Sequence, residues 1–416
     1  MTGTLTIRRA GGHGILAALA VAAGVLAWGG SAAAQTAPQR TLEELKTEAQ
    51  ARADRNAYPL AGLKPDEVRE ALSRLHSLDR DEWAASWSAV GDRYMEKAKA
   101  ETGSAPKQAD ADFRQAWLYY SFARWPVPNS PGKQRAYEKA LEAYAAHGRL
   151  LDPPMQTVRI PFEGKEIIGY LQMPKGARAA PIVIAISGLD SRKEDMAERF
   201  QPMLAYGVGS LALDAPGTGQ APIKAAPGAE RMLSRALEFV LARPDVDKSR
   251  VAVYGGSFGG LWATILAVTE KPRLRAVVAQ SGPMHEAYSR ARTMALAANR
   301  EYLFDYVPAQ LDVFEGATDL DRLADIRERI SLKNRGFLDK PMAPMLVIGG
   351  VLDTQVPFAD IELLLQSGDS PKDAWINPRG GHMGRDAKEW PDPVIFKKVT
   401  MPWLLRQLDI KAEVTQ

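Results

Sequence analysis

No cysteine occurs anywhere in the 416 residues. That absence removes disulfides, thiolate nucleophiles, zinc–thiolate centres and a lipid anchor on cysteine. Histidine is nearly as scarce, with five residues scattered without paired ligand spacing, so neither a metal site nor a cofactor is implied. Neither basic nor acidic residues predominate. The 53 basic residues stand against 50 acidic ones with no basic block or aromatic–basic stripe, which gives nucleic-acid binding no support. The prominent apolar run, "ILAALAVAAGVLAW" at 15–28, has 14 residues, where a membrane-spanning helix needs about 20.

What is there begins with that run. It follows Arg8 and Arg9 and precedes Ala32-Ala33-Ala34, so residues 1–34 carry the three parts of an export signal with cleavage before Gln35. An uncleaved N-terminal anchor is the alternative, and the paired arginines leave Sec and twin-arginine export both open. The expectation is a periplasmic or secreted protein with no stable membrane anchor after cleavage.

Residues 35–153 read as a helical region once the polar linker "QTAPQRT" is passed. Phe113, Trp117 and Tyr120 share one helical face, as do Tyr137, Leu141 and Tyr144, with Pro126, Pro128 and Pro131 between the two helices. No pattern recurs, so a cap or a homodimerisation module is expected in place of a repeat scaffold. Leu151-Asp152-Pro153-Pro154 marks a boundary, and from 154 to 416 apolar strands alternate with segments of helical length. "QTVRIPF" and "KEIIGYLQMP" suggest an antiparallel pair turning at Glu163-Gly164. "APIVIAISG", "GVGSLALD", "RVAVYG", "LRAVVAQSG" and "PMLVIGG" then imply a mostly parallel, doubly wound sheet. The segment at about 284–340 is too long for a simple connection and reads as a helical lid insertion.

Chemistry concentrates at the C-terminal ends of those strands, where open α/β sheets bind ligands. Gly255-Gly256-Ser257-Phe258-Gly259 follows a strand and opens a helix. Such a G-x-S-x-G turn strains its central residue and lifts the hydroxyl to a helix N-terminus. Asp353 follows in "VLDTQVP" and His382 in "NPRGGHMG", the order nucleophile, acid, base. A serine hydroxyl needs an imidazole to accept its proton, and the imidazole needs a carboxylate to fix its tautomer. His285, in "SGPMHEAY", also follows a strand, but glycines flank His382 and it comes after the acid, so His382 is favoured. Two backbone N–H groups, those of Phe258 and Leu189, are expected to form the oxyanion hole. The Leu189 loop "ISGLDSRKED" places Asp190 beside the pocket, although Asp190, Arg192, Lys193 and Glu194 would equally suit a solvated helix start. "DAPGTGQ" lacks a downstream Lys-Ser/Thr and is no phosphate loop.

The motifs "YLQMPKG…PIVIAISGLDSRKED", "LDAPGTGQ", "VYGGSFGG", "VLDTQVP" and "GGHM", with a helical region ending in "LLDPP", resemble the FrsA-like esterase branch of the α/β-hydrolases from about residue 110 onward. The resemblance implies an α/β-hydrolase fold and a triad on Ser257, Asp353 and His382. It also implies a first oxyanion loop at Gly188-Leu189-Asp190 and a small-molecule substrate. Some members of the branch cleave carbon–carbon bonds with an extra acid from the lid, and Glu286 is the candidate counterpart, beside His285. The expected activity is a carboxylesterase on small to medium acyl esters. A C–C bond hydrolase of the β-diketone type and a non-catalytic binding protein on the same fold are the alternatives.

Overall fold

A computed structural model describes residues 40–411, so the expected leader at 1–34 lies outside the described residues. The chain opens with five helices: α1 (Leu42–Asp54), α2 (Pro65–Ser73), α3 (Arg80–Glu101), α4 (Pro106–Ala123) and α5 (Pro131–Leu150). Their starts are written locally. Thr41 and Glu44 form a reciprocal capping box on α1, the Asp79 carboxylate accepts from the Asp81 and Glu82 N–H groups, and Ser130 caps α5 ahead of Pro131. Trp83 and Trp87, one turn apart on α3, meet Phe122 of α4 at centroid distances of 5.0 and 4.6 Å.

Eight strands follow: β1 (Gln156–Phe162), β2 (Lys165–Gln172), β3 (Ala180–Ile186), β4 (Gly209–Leu213), β5 (Val246–Gly256), β6 (Ala276–Gln280), β7 (Met345–Gly350) and β8 (Asp373–Asn377). They make one sheet in the order β1-β2-β4-β3-β5-β6-β7-β8. β2 runs antiparallel to both β1 and β4, and the remaining pairings are parallel. The β1–β2 hairpin turns at Glu163 and Gly164, both with positive φ (48° and 75°), the two-residue geometry whose twist matches that of the strands. Every residue of β3 is buried, as a strand covered by helices on both faces must be.

Between and after the strands lie α6 (Lys193–Phe200), α7 (Glu230–Ala242), α8 (Phe258–Thr269), α9 (Arg290–Met294), α10 (Tyr306–Val313), α11 (Leu320–Ile330), α12 (Phe358–Leu365), α13 (Asp392–Ile395) and α14 (Met401–Gln407). Helices α3 to α5 turn their aromatic faces inside the chain. Tyr144 of α5 packs on Trp117 (4.8 Å) and on Tyr170 of β2 (5.4 Å), which joins the helical layer to the sheet.

Helices α9 to α11 form the insertion between β6 and β7, which is pinned at its start and again midway. The buried Asp360 carboxylate of α12 accepts from the N–H groups of Met284, His285, Glu286 and Ala287 at 2.6–3.1 Å. Further along, Asp305 accepts from Arg80 (2.7 Å), Asn129 (2.9 Å) and the buried Lys133 ammonium (2.9 Å). Burial pulls Lys133 down to about 8, against the opposing pull of Asp305. Phe304 and Tyr302 complete the seam against Trp83 (4.5 Å) and Trp125 (5.2 Å). The helical region therefore holds the insertion in place.

Candidate active site

Strand β5 ends at Gly256 and α8 begins at Phe258, so Ser257 alone makes the turn, at φ 53° and ψ −123°. An L-residue tolerates this conformation only where its surroundings enforce it. The glycines show how close the turn is. A Cβ on Gly255 would stand 2.0 Å from the Gly259 carbonyl oxygen, and one on Gly259 would stand 2.5 Å from that of Ile186. The Ser257 N–H donates to the Gln280 carbonyl at 2.7 Å, tying the turn to β6.

Ser257 Oγ lies 2.9 Å from His382 Nε2, and His382 Nδ1 lies 2.9 Å from Asp353 Oδ2 and 3.1 Å from Oδ1. The hydroxyl donates to Nε2 and the Nδ1–H donates to the carboxylate. Asp353 is held by its own turn, where Oδ1 accepts from the Gln355 and Val356 N–H groups at 2.9 Å each. The His382 loop is set by close backbone packing, since a Cβ on Gly350 would stand 2.2 Å from the Gly380 oxygen. A polar strut also reaches it from β6: Tyr254 Oη donates to Gln280, Gln280 donates to the Met383 carbonyl, and the Ser281 hydroxyl accepts from the Met383 N–H. Sequence reasoning missed Gln280 and Ser281. The signal was a Gln-Ser pair closing an otherwise apolar strand.

Burial works against charge at both members of the Asp353–His382 pair. At Asp353 it is outweighed by the His382 charge and by three hydrogen-bonding groups, which hold the carboxyl below its ordinary value. At His382 it is outweighed by the Asp353 charge and hydrogen bond, with a smaller push from Glu301, and the imidazole is raised above the ordinary 6.5. Glu301 is the acidic group that the insertion brings to the triad. Its Oε2 accepts from the Thr354 hydroxyl, next to Asp353, at 2.8 Å. Because the base acts unprotonated, kcat/KM should fall on the acid side with an inflection above 6.5. In Glu301→Gln that inflection should move to lower pH. An unmoved limb would show that the carboxylate does not influence His382.

The loop after β3 adjoins the nucleophile, and a Cβ on Gly188 would stand 3.6 Å from Ser257 Cβ. Neither Leu189 N–H nor Phe258 N–H has a hydrogen-bond partner among the described residues, as donors kept for an oxyanion require. Asp190 accepts from Trp125 Nε1 at 3.0 Å. The helix start beyond it is not solvated. Arg192, Lys193 and Glu194 are buried, and the Lys193 ammonium lies 2.8 Å from Glu194 and 3.1 Å from Asp214. His285 and Glu286 are not joined to the triad. His285 Nδ1 meets the Ser331 hydroxyl at 2.9 Å, and the Glu286 side chain is half exposed.

A mixed sheet in this strand order, with a serine elbow after β5, an acid after β7 and a histidine after β8, defines an α/β-hydrolase. The sequence narrows this further. A family model described as "Esterase FrsA-like" matches residues 66–378, and the chain belongs to that family. Esterase FrsA of Vibrio cholerae is 28% identical over 335 residues, covering 75% of this chain and 79% of the relative. Esterase FrsA of an Enterobacter species is 26% identical over 326 residues, covering 71% and 76%. The crystal structure of 2,6-dihydroxy-pseudo-oxynicotine hydrolase shares the fold, with a TM-score of 0.69 at 19% identity over 87% of this chain and 95% of that one. The family match begins well before residue 110, inside α2, so helices α3 to α5 belong to the family's common chain.

Proposed function

We propose that the protein is an exported serine carboxylesterase acting on compact esters. The observation that carries this reading is the continuous Ser257–His382–Asp353 hydrogen-bond line at an elbow beneath the insertion. His382 takes the hydroxyl proton as Ser257 Oγ adds to the ester carbonyl. The oxyanion is received by the Leu189 and Phe258 N–H groups, and His382 returns the proton to the departing alkoxide. Water, activated by the same imidazole, then releases the acid. The cover held by the helical region favours small acyl groups over polymers or long lipids.

Ester cleavage is preferred over carbon–carbon cleavage for a geometric reason. A carbanion leaving group needs a proton donor beside it. Glu286 is half exposed, and His285 Nδ1 is engaged with Ser331. The test is kcat/KM on short p-nitrophenyl esters against 1,3-diketones. Faster diketone cleavage that collapses in Glu286→Gln would reverse the reading.

Export rests on the leader pattern in residues 1–34. Intact mass of the periplasmic or secreted protein should correspond to a chain beginning at Gln35. A mature protein that retains the apolar run would contradict it.

A further inference from the structure

Helix α11 presents Leu323, Ile326 and Ile330 inward, and Arg327 shares that buried face with only 4% of its surface exposed. A buried guanidinium is costly unless its charge and its five donors are matched. This one is not. Its Nη2 donates to the Ala287 carbonyl at 2.7 Å, and its carbon lies 4.7 Å from the Tyr288 ring centroid. Nε and Nη1 have no hydrogen-bond partner, and the buried Asp360 carboxylate, whose charge partly offsets the cost of burial, makes no ion pair with the guanidinium among the described residues. The Tyr288 hydroxyl beside it is also buried and unpartnered. Three buried polar atoms, on two side chains in ring contact, are thus left without a partner.

Their location ties them to the nucleophile. Tyr288 packs edge-on against Phe314 at 6.4 Å, and Phe314 packs at 5.5 Å on Phe258, the residue after Ser257. On the other side lies the Tyr306 phenol, near enough for the ionisation of one group to influence the other. Tyr306 packs at a tilt on Tyr302 at 4.2 Å, and Tyr302 stacks on Trp125, which donates to Asp190 of the oxyanion loop. The aromatic circuit begins at Phe258, next to Ser257, and ends at the oxyanion loop, with Arg327 between Tyr288 and Tyr306.

We infer that Arg327, with the Tyr288 hydroxyl, is a specificity site that receives a carboxylate on the substrate, so that the preferred esters carry an anionic group. The second N–H of Nη2 forms a fork with the unpartnered N–H beside it, on Nε or on Nη1, and that fork matches the two oxygens of a carboxylate, with the Tyr288 phenol as a further donor. This inference rests on the esterase reading for its consequence in turnover, but binding can be read separately.

The experiment compares mono-p-nitrophenyl glutarate with p-nitrophenyl butyrate, which share a leaving group and differ in the terminal carboxylate. The wild type should favour the glutarate ester by more than about tenfold in kcat/KM, and Arg327→Met should erase that ratio. Arg327→Lys should recover only part of it, because the charge remains and the fork is lost. Calorimetric titration of glutarate should show binding to Ser257→Ala and none to Ser257→Ala/Arg327→Met. Removing a buried charge that makes no ion pair and leaves two of its nitrogens without a hydrogen bond should leave the melting temperature of Arg327→Met equal or higher. A lowered melting temperature with an unchanged substrate ratio would overturn the inference and make Arg327 structural. Glutarate binding that depends on Arg327 without turnover of either ester would uphold the anion site and sink the esterase reading. Ester turnover with no dependence on Arg327 in ratio or in binding would do the reverse.

Discussion

Replacing Ser257 by alanine is expected to lower kcat by roughly 10⁴- to 10⁶-fold on any ester the enzyme accepts. The elbow itself should survive. Its geometry is set by the glycine contacts on either side and by the Ser257 N–H bond to Gln280, and neither involves the hydroxyl. His382→Ala should cost about as much, and the double variant little more than either single one, because a nucleophile without its base and a base without its nucleophile fail at the same step. Purified variants assayed under single-turnover conditions give the numbers. Ser257→Ala with near-normal turnover would mean that another residue attacks, and full additivity would mean that the two side chains act separately.

The second large effect is expected at Asp353. In Asp353→Asn the amide oxygen should keep the place of Oδ1, where it accepts from the Gln355 and Val356 N–H groups. The NH₂ then takes the place of Oδ2 and faces His382 Nδ1. A donor there forces Nδ1 to accept, so the ring proton moves to Nε2 and points at Ser257. An imidazole in that tautomer cannot take the hydroxyl proton, and kcat should fall by about 10⁴ with the fold intact. Retention of more than a tenth of the activity would show that the tautomer is fixed by something other than Asp353.

The parts of this site that could be read in the sequence are those encoded locally. A strand, a glycine-bracketed serine and a helix are contiguous in 251–267, and an acid and a histidine each close a strand-end loop. The β1–β2 hairpin was legible for the same reason, since Glu163-Gly164 lies between two alternating runs. Glu301 and Asp305 were not legible, because their meaning comes from partners far away in the chain: Thr354 for one, and Arg80, Asn129 and Lys133 for the other. The charges of Arg192, Lys193 and Glu194 could equally have been solvated, and only the packing of α6 against Asp214 decides that they are buried. Arg327 was half visible. The pattern Leu323, Ile326, Ile330 in "DLDRLADIRERISL" is an inward stripe, and position 327 falls on it at helical spacing, so a charge there is an anomaly the period alone could flag. Its unmet hydrogen bonds could not be seen without Tyr288 and Ala287 beside it.

The central claim, that Ser257 is the activated nucleophile of a serine hydrolase, is tested most directly by covalent labelling with a fluorophosphonate and peptide mapping. The account predicts one adduct per chain, on the peptide that carries Ser257, formed quickly in the wild type and suppressed in His382→Ala. An adduct on a different residue, or ester hydrolysis that continues undiminished in a protein that takes up no label, would contradict it.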